Sequence, residues 1–278
     1  MNFRLKIAAA TFALLWLSAT ACFAADNQPA NLLDDGYRDM YNLQFGNAHL
    51  AFQQWQREHP EDPLAPVSDA AAYLFSEFDR LHVLESELFV SDQKFESRSR
   101  PAPNPQVKQA FMAQLARSRQ LVQAALARNP DDVNALLSNV LALGLEGDYL
   151  ALIEKRDMQA LKYLKDGRAA AERLLAANPS CNDAYLAVGV ENYLLSLKPA
   201  PVRWFLRIGG AQTDKAAGLE KLRITAEKGH YLLPYARLLL AVAALRDNDR
   251  KRARFLLQDL VTNFPQNHLY RSELAKLN

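Results

Sequence analysis

Apolar side chains recur at helical spacing through most of the chain, and four of the amphipathic stretches end in the same way. Ala48, Phe52 and Trp55 precede His59-Pro60, and Ser118, Val122 and Ala125 precede Asn129-Pro130. Gly167, Ala171 and Leu174 precede Asn178-Pro179, and Ala253, Leu257 and Leu260 precede Phe264-Pro265. In each case a small residue stands twelve positions before a proline, with apolar residues four and seven positions after it. That spacing puts all three on one helical face. Proline then stops the helix, because it has no N–H to continue the ladder and restricts the residue before it. A small residue on such a face predicts a second helix packed closely against it.

After each of the first three prolines a further helical stripe follows, over Leu64 to Leu74, Val133 to Leu145 and Ala184 to Leu195. Ala70, Gly189 and Ala241 hold the matching small position on these first helices, whereas Val140 departs from it. The most complete unit runs from Pro234 to Asn267, broken into two helices at Asp247-Asn248-Asp249. Helical spacing over Leu32 to His59 is broken near Gly46-Asn47, and Leu150 to Ala177 reads as one long second helix.

These patterns resemble tetratricopeptide repeats, in degenerate form over most of Asp34 to Leu277. The resemblance implies an all-α superhelical array of antiparallel helix pairs, an α-solenoid of about four units, occupying 25–278. The spacing between the helix-ending prolines is 70, 49 and 86 residues, so segments near 75–105 and 197–213 are insertions. Phe75 to Phe89 reads as a further helix, and Ser91 to Pro105 as a solvated loop carrying Arg98 and Arg100. Leu197 to Thr213 reads as a helical turn folded back on the array with its aromatics in the core. Its Arg203, Trp204, Phe205 and Arg207 are the residues that would anchor a partner, or touch a membrane surface, if they stood outward.

The resemblance also implies a concave groove lined by the first helix of each pair. At the positions where the register is clear it consists of Asn134, Leu137 and Leu141; Asp183, Leu186, Val190 and Tyr193; and Tyr235, Leu238 and Val242. The lysine and asparagine clamp by which some tetratricopeptide proteins hold a C-terminal carboxylate is absent from these positions. An apolar groove needs a cover. Either a partner peptide or helix fills it, or the chain does so itself with Phe75 to Phe89 or Val202 to Ile208.

Composition agrees with helices: half of the 278 residues are hydrophobic and only 10 are glycine. The first 24 residues have Arg4 and Lys6, an apolar run from Ile7 to Ala19, and small residues up to Ala24, the plan of a secretory signal peptide. Ala19-Thr20-Ala21-Cys22 also resembles, loosely, the bacterial lipobox, which would lipidate Cys22 and supply the only expected tie to a membrane. No later segment reads as a bilayer-crossing helix. A chain without the leader carries 31 basic and 31 acidic residues, which gives no general attraction to nucleic acid or anionic lipid. Its one cysteine, Cys181, leaves no disulfide framework. The expected place is the periplasm or the outside of a bacterial cell, or its envelope if lipid-anchored.

No specific catalytic spacing is present. The five histidines form no HExxH, and His82 and Glu85 pair on one helical face without a third ligand. Glu146, Glu154 and Glu191 lie in apolar stretches and are the only acid/base candidates, for a hydrolase; structural ion pairs explain them more simply. The expectation is a noncatalytic scaffold, without metal or cofactor, that binds a protein or peptide. A lipoprotein of purely structural role is the other reading.

Overall fold

The computed structural model describes residues 31–85, 90–97, 99 and 102–277. The signal peptide, Cys22, Arg98 and Arg100 lie outside the described residues, as do residues 86–89 at the end of the expected helix from Phe75. The described residues are helical, with no strand among them.

The helices are α1 (Leu32–Tyr41), α2 (Phe45–Glu58), α3 (Leu64–Arg80), α4 (Asp92–Ser97), α5 (Pro105–Arg128) and α6 (Val133–Asp148). There follow α7 (Asp157–Ala177), α8 (Tyr185–Ser196), α9 (Ala200–Ile208), α10 (Lys215–Lys228), α11 (Leu233–Arg246), α12 (Arg250–Asn263) and α13 (His268–Ala275). Packing follows chain order, in the pairs α1 with α2, α3 with α5, α6 with α7, α8 with α10 and α11 with α12. Each pair also packs on the next, and α13 covers the last. The short helices α4 and α9 fall inside the second and fourth pairs.

The four proline endings are one structure repeated. His59, Asn129, Asn178 and Phe264 each leave the helical region, and each donates its N–H to the carbonyl four residues back. The N–H three residues further on closes a turn at 3.1 Å in all four. Asp62 then accepts the N–H of Leu64 at the start of α3 at 2.9 Å, Asp132 caps α6 through Ala135 N–H at 2.9 Å, and Asn267 caps α13 through Tyr270 N–H at 3.1 Å. These caps satisfy otherwise orphaned donors. After Pro179 the corresponding residue is Cys181, which caps nothing, and a 3-10 turn over Asn182–Ala184 leads into α8 instead.

A fifth ending carries the same face without the proline. Gly218, Leu222 and Thr225 of α10 are buried, and His230 stands where a proline would be. The 86-residue interval therefore contains an additional helix pair, more than the four proline signals announce. In place of a proline turn, the Asp183 carboxylate accepts the backbone N–H groups of His230 (2.9 Å), Tyr231 (3.1 Å) and Leu232 (3.0 Å).

Three expected boundaries move. The break in the first segment falls at Asn42 to Gln44, where Leu43 takes φ 62°, and Gly46 lies inside α2. Phe75 belongs to α3, which runs on to Arg80 and ends in a turn, so no separate helix starts there. Tyr149–Ile153 extends α6 as a π-helical turn, and α7 begins only at Asp157. Val133–Ile153 is, against the sequence reading, long and apolar enough to cross a membrane. Here it is core: Leu136, Val140, Ala142, Tyr149 and Ile153 are all buried.

The small positions do what their spacing predicts. Ala48, Ser118, Gly167 and Ala253 are buried, with Phe52, Leu174, Leu257 and Leu260 closing the same faces. Burying a side chain of that size contributes about 1.5–3 kcal/mol. Two core clusters result, one from α1 to the start of α8 and one from α8 to α13, and Tyr235 and Phe264 touch both.

Candidate functional site

The first and last helix pairs meet. Tyr37 of α1 stacks on Tyr231 with ring centroids 4.5 Å apart, and Tyr41 lies 5.6 Å from Phe264. The Tyr41 hydroxyl donates to the Tyr231 carbonyl at 2.9 Å, and Asn267 Nδ2 donates to the Tyr41 carbonyl at 2.8 Å. His230 Nε2 sits 2.7 Å from Asp34 Oδ1. Residues some 190 to 226 apart in the chain thus form one seam.

Most of the residues expected to line a groove are covered. Leu137, Leu141, Asp183, Tyr193 and Leu238 are buried. Leu186, Val190, Tyr235 and Val242 are half-buried, and Asn134 alone is exposed. Tyr235 packs edge-on against Phe75 at 5.5 Å and donates to Asp148 Oδ2 at 3.2 Å. Burial pushes the Asp148 carboxyl up to about 7. Tyr235 is covered by Phe75, the first residue of the stretch expected as a cover and here part of α3, and by Asp148, while Val202, Trp204 and Ile208 stand exposed. Asp183, expected as a polar handle for a partner, spends its carboxylate on the loop before α11.

An opening remains at one end of the seam. It is a cavity of about 150 Å³ with Met40, Tyr41, Phe75, Phe78, Leu238 and Tyr270 as its apolar floor. Its mouth carries Leu84, Leu269, Asp79, His82, Glu85 and His268. His268 Nε2 is 3.0 Å from Asp79 Oδ1, and His82 Nδ1 is 3.5 Å from Glu85 Oε1. His82 and Glu85 are therefore neighbours as the sequence suggested, but across a turn in which His82 takes φ 54°, not on a helix face.

Sequence reasoning missed this pocket because its walls come from 40–43, 75–85, Leu238 and 267–272, and no single stretch carries a signal. It also missed His49, whose Nδ1 lies 2.5 Å from Oδ1 of the fully buried Asp69. Gln114 Nε2 donates to the other oxygen of Asp69 at 2.8 Å, so α2, α3 and α5 are tied at one carboxylate. Such a buried network fixes the packing of three helices.

The three carboxylates named as acid/base candidates are held apart by separate cations. Glu146 pairs with Arg119, Glu154 with Lys108 (2.6 Å) and Arg156 (3.3 Å), and Glu191 with Arg168. Lys108 holds the Glu154 carboxyl below its ordinary value, while burial raises that of Glu191. Each has a partner on another helix. No group of three or more metal-ligating side chains is assembled among the described residues.

Of the expected anchor residues, Trp204 is 65% exposed, so the aromatic insertion is not core in the way its apolar content suggests. Arg203 is half-buried and Arg207 exposed, both bonded to the protein body, and the side chain of Phe205 lies outside the described set. Comparison of the chain with family models, with curated proteins and with solved structures gives no match.

Proposed function

We propose that this chain is a noncatalytic interaction scaffold of the tetratricopeptide type. Its helix pairs stack as a superhelical array whose ends meet, and its binding site is the pocket where they meet. A partner peptide or helix inserts one large apolar side chain there. The leader-like N-terminus makes the periplasm or envelope of a bacterium the place of action, with a protein or peptide as the ligand.

The observation that carries the reading is the pocket itself. Its volume of about 150 Å³ suits one aromatic ring, since a cavity of that order holds benzene in an engineered protein. An apolar floor with a few convergent polar groups at the mouth is the usual make-up of a ligand site. Asp79, His82, Glu85 and His268 offer both donors and acceptors to the backbone of an inserted peptide.

Selection of a random peptide library on the immobilised chain tests this. Enriched peptides are expected to share one aromatic or leucine anchor. They should lose at least about tenfold in affinity on Leu84→Asp with Leu269→Asp, since desolvating a carboxylate beside the anchor opposes insertion. Circular dichroism checks that the double variant keeps its helices. No enrichment, or binding that survives the double variant, contradicts the assignment.

A further inference from the structure

The helix α9 is mounted inside out. On a nine-residue helix of this sequence Pro201, Trp204 and Ile208 share one face, and Arg203 and Arg207 lie on the other. An amphipathic surface helix normally turns its charged face to water. Here the arginines are the attachment: Arg203 Nη1 donates to the carbonyls of Lys198 (3.0 Å) and Ser196 (3.3 Å), and Arg207 Nε donates to Thr213 Oγ1 (2.6 Å). Lys165 Nζ and Arg168 Nη2 hold the exit of the helix through the carbonyls of Gly209 (2.6 Å) and Gly210 (3.2 Å). The apolar face is left outside, with Trp204 65% and Ile208 67% exposed.

Charge decides what covers this face. Between Glu191 and Asp214 the chain carries Lys198, Arg203 and Arg207 and no acidic residue. This local excess of positive charge behind an outward tryptophan and isoleucine, with the Lys198 side chain exposed at the start of the segment, matches a negatively charged lipid surface. Tryptophan settles at the boundary of headgroups and acyl chains, and an exposed lysine beside it reaches the phosphate level. A protein partner would need an acidic rim around an apolar socket; an anionic bilayer supplies both over any area.

We propose that α9 is an interfacial anchor that seats the protein on anionic lipid, with Trp204 and Ile208 entering the headgroup region. This attachment is independent of Cys22 and of the seam pocket, so a failure of either proposal leaves the other standing.

The chain from Ala25 onward, with Trp55→Phe, has Trp204 as its only tryptophan. It is mixed with vesicles of phosphatidylglycerol and phosphatidylcholine in equal parts, or of phosphatidylcholine alone. The expected result is co-sedimentation and a blue shift of Trp204 emission with the anionic vesicles, weakened by salt, and neither effect with the neutral ones. Trp204→Ser with Ile208→Ser, read by co-sedimentation, should reduce anionic binding at least about tenfold while circular dichroism is unchanged. Absence of binding to anionic vesicles overturns the proposal. So does equal binding by the double variant, or a blue shift that needs only a higher protein concentration, which would mark a contact between copies.

Discussion

Asp183→Ala is expected to cost about 4 kcal/mol of stability, since each buried donor left without an acceptor costs roughly 1–3 kcal/mol and the loop can recover part of that from water. Asp183 is buried at 4% exposure, and its two oxygens take three consecutive backbone N–H groups, those of His230, Tyr231 and Leu232. A loss of that size is a large share of a typical domain's 5–15 kcal/mol. Urea unfolding followed by circular dichroism reads it directly; a loss under about 1 kcal/mol would mean that the loop stands without its acceptor. Asp183→Asn keeps one acceptor oxygen and should cost less. It should also remove a pH dependence. Burial, partly offset by the three N–H donors, raises the folded carboxyl above its ordinary value. The folded state therefore holds the proton longer than the unfolded state. This carboxyl's contribution is lost as pH climbs from the ordinary carboxylate range through the raised value, and is flat above it.

Gly218→Ala is the second substitution with a large effect, and its sign is informative. Alanine in a helix interior is normally favoured over glycine by about 1 kcal/mol. Here a Cβ at Gly218 would meet Tyr193 N at 2.6 Å and Asn192 Cβ and the Gly189 carbonyl oxygen at 3.0 Å. On the facing helix, a Cβ at Gly189 would meet Leu222 Cγ and Leu222 N at 2.9 Å. Most of these obstacles are backbone and cannot rotate away. A net loss of about 3 kcal/mol is expected for each, at the upper end of overpacking costs. The double variant should lose clearly less than the sum, because one separation of α8 from α10 relieves both clashes. Gly144 is the control: it is exposed in α6 with nothing within 4 Å of an added Cβ, so Gly144→Ala should stabilise. Stabilisation at Gly218 as well would contradict the close crossing.

These two sites show where the sequence was legible. Twelve-residue spacing back from a proline located Ala48, Ser118, Gly167 and Ala253, because local periodicity and proline chemistry decide such an ending without help from distant residues. The same face on α10 went unread since His230 replaces the proline, and the Asp183 carboxylate that does its work lies 47 residues earlier. The spacing of Gly218, Leu222 and Thr225 was the available signal. Leu43 and Tyr149–Ile153 misled for a related reason: a non-glycine residue at positive φ and a π-helical turn inside an apolar run leave no mark in hydropathy.

The candidate site was less legible than the fold. Periodicity says which face of a helix is inward but not how far successive pairs rotate. It therefore could not foretell that Tyr37 and Tyr231 would stack, or that the groove positions would turn inward. Nor could it show which face of α9 the body holds, since that depends on where the carbonyls of Ser196 and Lys198 lie relative to Arg203.

The meeting of the two ends underlies both the buried groove and the pocket. A double-mutant cycle on Tyr37→Leu and Tyr231→Leu, read by urea unfolding, tests it most directly. Aromatic pairs couple by about 0.5–1.5 kcal/mol beyond the area they bury. A coupling of about 1 kcal/mol between residues so far apart in sequence is predicted; additive losses would place the two rings out of contact and leave the groove open.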